Sequence, residues 1–412
     1  MNFNQKDVEI LRELGQQVAE IAALPQQKET IGLWKALNSL KPARPMVMID
    51  QLPWHEMNVD DELTLRCDDK ACRGIETGLR QTLYRWKHMP ADFVVEAKIS
   101  VDVATSGMDF GLQADEDCAV SDPQNDVVGH YYHDQLATEE DLEKIKMPHI
   151  QYDAAATAER AARMQEIFAG IFTVEVQGIV PAINLWDAIT TWRGAEAVLT
   201  DLGERPEFLH KLMTRLTTAY SAMLDQLESL GILAAQQSWI HCTGAFTDEL
   251  PAPGFNPLKP RLKDMWTYGL SQIFSSVSPA MHQEFDMDYL NPLYARFGLV
   301  YYGCCDPLDR KLHLVKKIPN LRKISMSPWV NVENGARQIG RDFVFSRKPS
   351  PALLAVDQWD AQAVEEDLQE TVAACARHGC PLELILKDVS TVRYQPQRLW
   401  EWARIAQRLV TE

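Results

Sequence analysis

Basic charge is what this chain has too little of. It carries 41 Lys and Arg against 58 Asp and Glu, a formal charge of −17, so no net positive field is present to neutralise phosphates or hold an anionic membrane. Nucleic acid and membrane surfaces are therefore not expected partners. Long apolar runs are missing too: no stretch approaches the roughly 20 residues needed to cross a bilayer. The opening MNFNQKDVEILREL has no basic start followed by an apolar run, and a cytoplasmic location is expected. The eight cysteines are scattered with no CxxC pair, which in a reducing compartment makes them thiols, metal ligands or small core residues. Cys67, Cys72, Cys118, Cys375 and Cys380 are read as buried and inert. No Gly-rich phosphate loop follows any candidate strand, which argues against a doubly wound nucleotide-binding sheet. No repeat, low-complexity tract or flexible linker divides the chain, so residues 1–412 are expected to form one elaborated domain.

What is present is a supply of core residues, 46% of the chain being hydrophobic, arranged as short β-branched runs alternating with longer helical patterns. Eight runs qualify as strands: Met46 to Gln51, Phe93 to Ile99, Phe172 to Gly178, Gln237 to Cys242, Leu299 to Cys305, Leu321 to Ser327, Asp342 to Arg347, and Leu382 to Lys387. Segments such as Asp69 to Met89, Arg193 to Leu230 and Ala361 to His378 carry apolar residues at helical spacing. Eight strands with intervening helices predict an α/β fold, a single (β/α)8 TIM barrel with its chemistry at the C-terminal ends of the strands. Residues 1–44 read as an N-terminal helical extension. The polar stretch 102–147, with its short run HYYHDQL, reads as an insertion after the second strand, a hairpin or lid over the mouth. His130 and His133 do not share a face on such a hairpin and are left out as a ligand pair.

From about Arg193 onward the order of signals resembles the uroporphyrinogen decarboxylase superfamily, which includes zinc-dependent methyltransferases acting on corrinoid proteins. RGAEAVLTDLGERPEFLHKLM, SQIFSSVSPAMHQEFDMDYLNPL and FGLVYYGCCDPLDRKLHLVKKIPNLRKISMSP carry the resemblance. The N-terminal half matches only in strand order. The departures are informative. RPMVMIDQLPWHEM offers Asp50 where the porphyrinogen decarboxylases bring arginines, and Ile99 replaces their aspartate, so porphyrinogen decarboxylation is not expected. Tyr302 stands where the methyltransferases carry a histidine, Cys304 matches their first cysteine, and Val389 lies near the place of the second.

The resemblance implies a zinc ion with an open position and a corrinoid (cobalamin), free or on a partner protein, as co-substrate. His241, Glu284, Cys304 and Cys305 form the expected ligand set, although adjacent His-Cys and Cys-Cys pairs also suit packing. His55 and Glu56 are candidates for proton transfer, Tyr302 for a hydrogen bond to the reacting atom, and Asp50 and Trp54 for substrate contact. Solvated or packed loop residues would look the same in sequence. Arg347, Lys348, Lys387 and Arg393 follow the last two strands, where barrels often bind anions, or else they are ordinary ion pairs. Three functions remain open. They are a zinc-assisted methyltransferase acting on a small methylated molecule, a decarboxylase or lyase on a small carboxylated one, and a non-catalytic corrinoid or tetrapyrrole binder. A homodimer is compatible with any of them.

Overall fold

The computed structural model describes residues 4–412 except 121, 122, 124 and 126. Its main strands are β1 (Met46–Ile49), β2 (Lys98–Asp102), β3 (Thr173–Gln177), β4 (Trp266–Gly269), β5 (Leu299–Tyr302), β6 (Leu321–Met326), β7 (Val344–Arg347) and β8 (Leu382–Leu386). Six of them form one parallel sheet in the order β1-β8-β7-β6-β5-β4, while β2 and β3 pair in parallel as a second sheet. Residues flanking β2 and β3 link the two sheets. The Asp92 N–H donates to the Val47 carbonyl at 2.9 Å, and Ile183, beyond β3, bridges Gly269 of β4.

The composition of the strands explains the difference between the sheets. MVMI, LVYY and LELIL are buried on both faces, as parallel strands covered on both sides must be. KISVD and TVEVQ alternate with charge and stay partly exposed. On the outer face of the large sheet Val47, Val300, Tyr302, Ile324, Phe345 and Leu384 join the main helix-covered core. On the inner face Met46, Met48, Trp266, Tyr301, Val344 and Ile385 form a second cluster. Two N-terminal helices, Gln5–Ala22 and Pro25–Asn38, precede β1, the first capped by Asn4. The second sends Trp34 into the inner cluster.

Two expected strands are displaced. The fourth is Trp266–Gly269 rather than Gln237 to Cys242. In the latter segment Trp239–Ile240 turns back and pairs antiparallel with Thr243–Gly244, because His241 takes a left-handed φ of 53°. Gln237 instead brackets the start of β4, accepting from the Trp266 N–H at 2.7 Å. This inner hairpin packs Ile240 and Cys242 onto the inner face of the large sheet. Lys323 and Glu383, both fully buried, pair at 2.8 Å beneath it. Thr243 Oγ1 donates to Glu383 at 2.7 Å, and Lys323 Nζ donates to the Gly244 carbonyl at 3.1 Å. A Cβ at Gly244 would fall 2.6 Å from the Trp34 ring, so only glycine fits there. The second strand begins at Lys98 rather than Phe93. The stretch before it is held elsewhere, the Val95 N–H donating to Gln27 Oε1 at 2.8 Å.

Candidate active site

The C-terminal end of β5 runs into Gly303, whose φ of 92° breaks the strand alternation and brings Cys304 under the end of β8. Lys387 Nζ donates to Cys304 Sγ at 3.1 Å. Cys305 Sγ lies 3.5 Å from Cys304 Sγ and 3.3 Å from Asp388 Oδ2. Asp388 itself pairs with Lys387 at 3.0 Å. The loop is fixed by Asp306, a buried carboxylate that accepts from the Cys304 N–H at 3.1 Å, and by Ser325 Oγ, which donates to the Cys304 carbonyl at 2.7 Å. The tip of the inner hairpin supplies His241, stacked on Tyr268 with ring centroids 4.8 Å apart. Among the described residues its buried Nε2 finds no hydrogen-bond partner.

These neighbours decide which sulfur ionises. The Cys305 thiol bonding to it holds Cys304 well below the ordinary thiol range despite burial, and His241 and the Lys387 ammonium add to the lowering. Cys305 is pushed the other way and keeps its proton. Burial would lower Lys387, but the Cys304 thiolate and Asp388 outweigh it and keep the ammonium charged. A thiolate beside an ammonium and an imidazole is a nucleophile or a metal ligand. Asp187, in the first turn of the helix Leu185–Arg193, has its carboxyl pushed up to about 6, by burial first and then by the negative charge of Cys304. That acid keeps its proton to well above the ordinary carboxylate range and suits proton transfer. Nothing in the local sequence NLWDAI marks it. The one available signal was its place just beyond the third strand, where barrel enzymes keep their chemistry.

Of the residues singled out from the sequence, the structure gathers His241, Cys304, Cys305 and Lys387. It separates the others. Glu284 projects outward from the helical segment after β4 and bonds to His210 Nε2 at 3.1 Å, with its side chain 54% exposed, so it is not a ligand beside Cys304. Tyr302 faces the helices, not the mouth. Its hydroxyl lies 3.0 Å from His282 Nε2 and donates to Asp286 at 3.2 Å in a fully buried network, because strand alternation puts it opposite to Tyr301. Glu56 accepts from Thr391 Oγ1 at 2.6 Å, the Val392 N–H at 2.7 Å and the Tyr394 N–H at 3.0 Å. It is a buried clasp for the loop after β8, not a proton donor to substrate. His55 sits beside it at 3.7 Å and edge-on to Tyr394.

The expected substrate contacts are mostly structural. Trp54 packs edge-on against Tyr84 with Arg85 over its ring, and Arg85 lies 3.7 Å from Asp50. Arg347 is engaged by Asp367 at 3.3 Å and Arg393 by Asp357 at 3.1 Å. Lys348 is buried on the inner face against Tyr301 and Ser346. These cations therefore do not converge into an anion clamp.

No protein-family model matches the chain, and no curated protein matches it in sequence. Among solved structures it is similar to a methyltransferase from Methanosarcina mazei, with a TM-score of 0.51 over 91% of this chain and 97% of the other. At 9% identity that likeness speaks for the fold, an α/β architecture with a parallel sheet, and for nothing finer.

Proposed function

We propose that this chain is a methyltransferase of the uroporphyrinogen decarboxylase-like kind, moving a methyl group between a small methylated molecule and a corrinoid, free or carried by a partner protein. The observation that carries the reading is Cys304, a sulfur that accepts from Lys387 Nζ at 3.1 Å and lies 3.5 Å from Cys305 Sγ at the C-terminal ends of parallel strands. The two sheets are read as one closed (β/α)8 barrel, with the Asp92–Val47 bond and the Ile183–Gly269 bridge as its seams.

His241, Cys304 and Cys305 offer the nitrogen and sulfur donors that zinc favours: the sulfurs lie 3.5 Å apart and the buried His241 Nε2 has no hydrogen-bond partner among the described residues, but the three ligand atoms do not all lie within 4.8 Å of one another and would have to close on an ion. Zinc, when bound, supplies Lewis-acid activation of the heteroatom that gains or loses the methyl group. The chain's own groups do the rest. Lys387 offsets the negative charge of the sulfur, Asp187 holds a proton near the site, and the Tyr268 ring fixes the imidazole plane. Trp329 and Tyr394, exposed on the loops after β6 and β8, present apolar faces to a flat macrocycle. The lyase reading keeps only Lys348 and Lys387 of its expected cations, since Arg347 and Arg393 are already paired with Asp367 and Asp357.

The test is methyl transfer to cob(I)alamin, followed by its visible spectrum, with methanol, a methyl phenyl ether and a methylated thiol as donors in turn. Transfer from at least one donor, lost in Cys304→Ser, is expected. Failure with all three, or a fully active Cys304→Ser protein, refutes the reading.

A further inference from the structure

A second group of metal-ligand side chains lies far from β5 in the sequence, on the polar hairpin formed by Glu116–Ala119 and Gly129–Tyr132. Glu116 and Cys118 are two residues apart and so share one face, and the antiparallel register sets His130 directly opposite Cys118. His130 Nδ1 lies 2.7 Å from Glu116 Oε2 and 3.8 Å from Cys118 Sγ. Among the described residues this is the one place where three His, Cys, Asp or Glu ligand atoms all lie within 4.8 Å of one another. Two ligands about 2.0–2.3 Å from a tetrahedral ion stand roughly 3.3–3.8 Å apart. The sulfur–nitrogen distance fits as it stands, and the carboxylate need open only by a small rotation.

A second observation favours a ligand on physical grounds. A two-stranded hairpin is marginal in water unless it packs an apolar face against something, and here the first strand is exposed at every position and the second at all but Tyr132. Its ends are nonetheless tied down. Arg193 pairs with Asp134 at 2.8 Å, the Gln135 N–H donates to the Trp192 carbonyl at 2.8 Å, and in the turn Asn125 Nδ2 donates to the Ser390 carbonyl at 3.2 Å. Ser390 is two residues beyond Asp388, so the hairpin arches to the loop that carries the Cys305 partner.

We propose that Glu116, Cys118 and His130 bind a zinc-class divalent cation, which staples this hairpin in place and leaves a fourth coordination position open to solvent. A thiolate with an imidazole and one carboxylate selects zinc over the hard cations calcium and magnesium. Binding releases the thiol proton from Cys118 as the Zn–S bond forms. The proposal does not depend on what happens at Cys304.

The test uses untagged full-length protein stripped with a chelator. Cys118 alkylation by iodoacetamide is followed by mass mapping of its peptide, with and without added Zn²⁺, so the readout belongs to the hairpin alone. Zinc is expected to slow Cys118 alkylation by about tenfold or more, because a coordinated thiolate is masked. That protection should be reversed by chelator and lost in both His130→Ala and Glu116→Ala. An alkylation rate that ignores zinc overturns the proposal, as does protection that survives in both variants, which would mark a lone thiol capturing the ion. Zinc titration against a chromogenic chelator gives the second measurement: Cys118→Ser should bind one equivalent fewer than the parent protein, and equal stoichiometry would refute the site.

Discussion

The chain contains two short hairpins that each carry a histidine and a cysteine, and they are built on opposite principles. The inner one, Trp239–Gly244, buries Cys242 and rests on the fully buried Lys323–Glu383 pair. The outer one, Glu116–Tyr132, buries almost nothing and is held by polar contacts at its ends. Burial makes the inner hairpin a fixed support for His241. Its absence leaves the outer hairpin open to ligand and solvent. The residue types are the same; the surroundings decide whether a histidine near a cysteine positions a reactive group or remains a surface device.

The largest effect expected from breaking this contrast is at the buried pair. Lys323→Ala leaves buried Glu383 without its hydrogen-bonded cation and should cost about 3–5 kcal/mol of stability, read from denaturant unfolding. A loss below about 1 kcal/mol would mean that the inner hairpin does not rest on that pair.

Next in size is the clasp of the β8 loop. Glu56→Ala strands the buried Val392 N–H and frees the part-buried Tyr394 N–H, and should lower stability by about 1–3 kcal/mol. Zinc content would stay unchanged. Loss of metal with no change in unfolding would return Glu56 to the reacting groups.

A third measurement concerns pH. The Asp187 carboxyl is raised in the fold to about 6 by burial and by Cys304, above its unfolded value of about 3.9. Its contribution to stability is therefore full below the unfolded value and lost as pH rises through about 6. Asp187→Asn should flatten that part of the stability profile, and should remove any limb of the turnover profile that falls as pH rises through the same range. A limb that persists in the variant belongs to another group.

The smallest effects belong to the surface. Glu284→Ala should change stability by no more than about 0.5 kcal/mol and leave bound zinc intact, since its partner is the partly exposed His210. In chelated protein His130→Ala should be equally mild, because exposed ion pairs contribute little. A large loss there would make the outer hairpin resemble the inner one.

Read alone, the sequence carried the periodicities, and these depend on neighbours a few residues apart. Seven of the eight expected strand runs contain or overlap observed parallel strands, and the hairpin within 102–147 was visible in its alternation. Of the candidate site, Cys304 and Cys305 were named from their place at a strand end, whereas Lys387 was expected to bind an anion and instead lies against Cys304. The tertiary structure decided the remainder. A left-handed residue at His241 turned an expected strand into an inward support, and a left-handed Gly303 swung Cys304 beneath Lys387. Strand alternation sent Tyr302 outward to His282, and helix rotation sent Glu284 to His210. Asp187 acquired its raised pKa only from burial and from a thiolate more than a hundred residues away in the chain. Single backbone dihedrals and the charges that meet across the core are set by long-range packing, and local pattern carries no record of them.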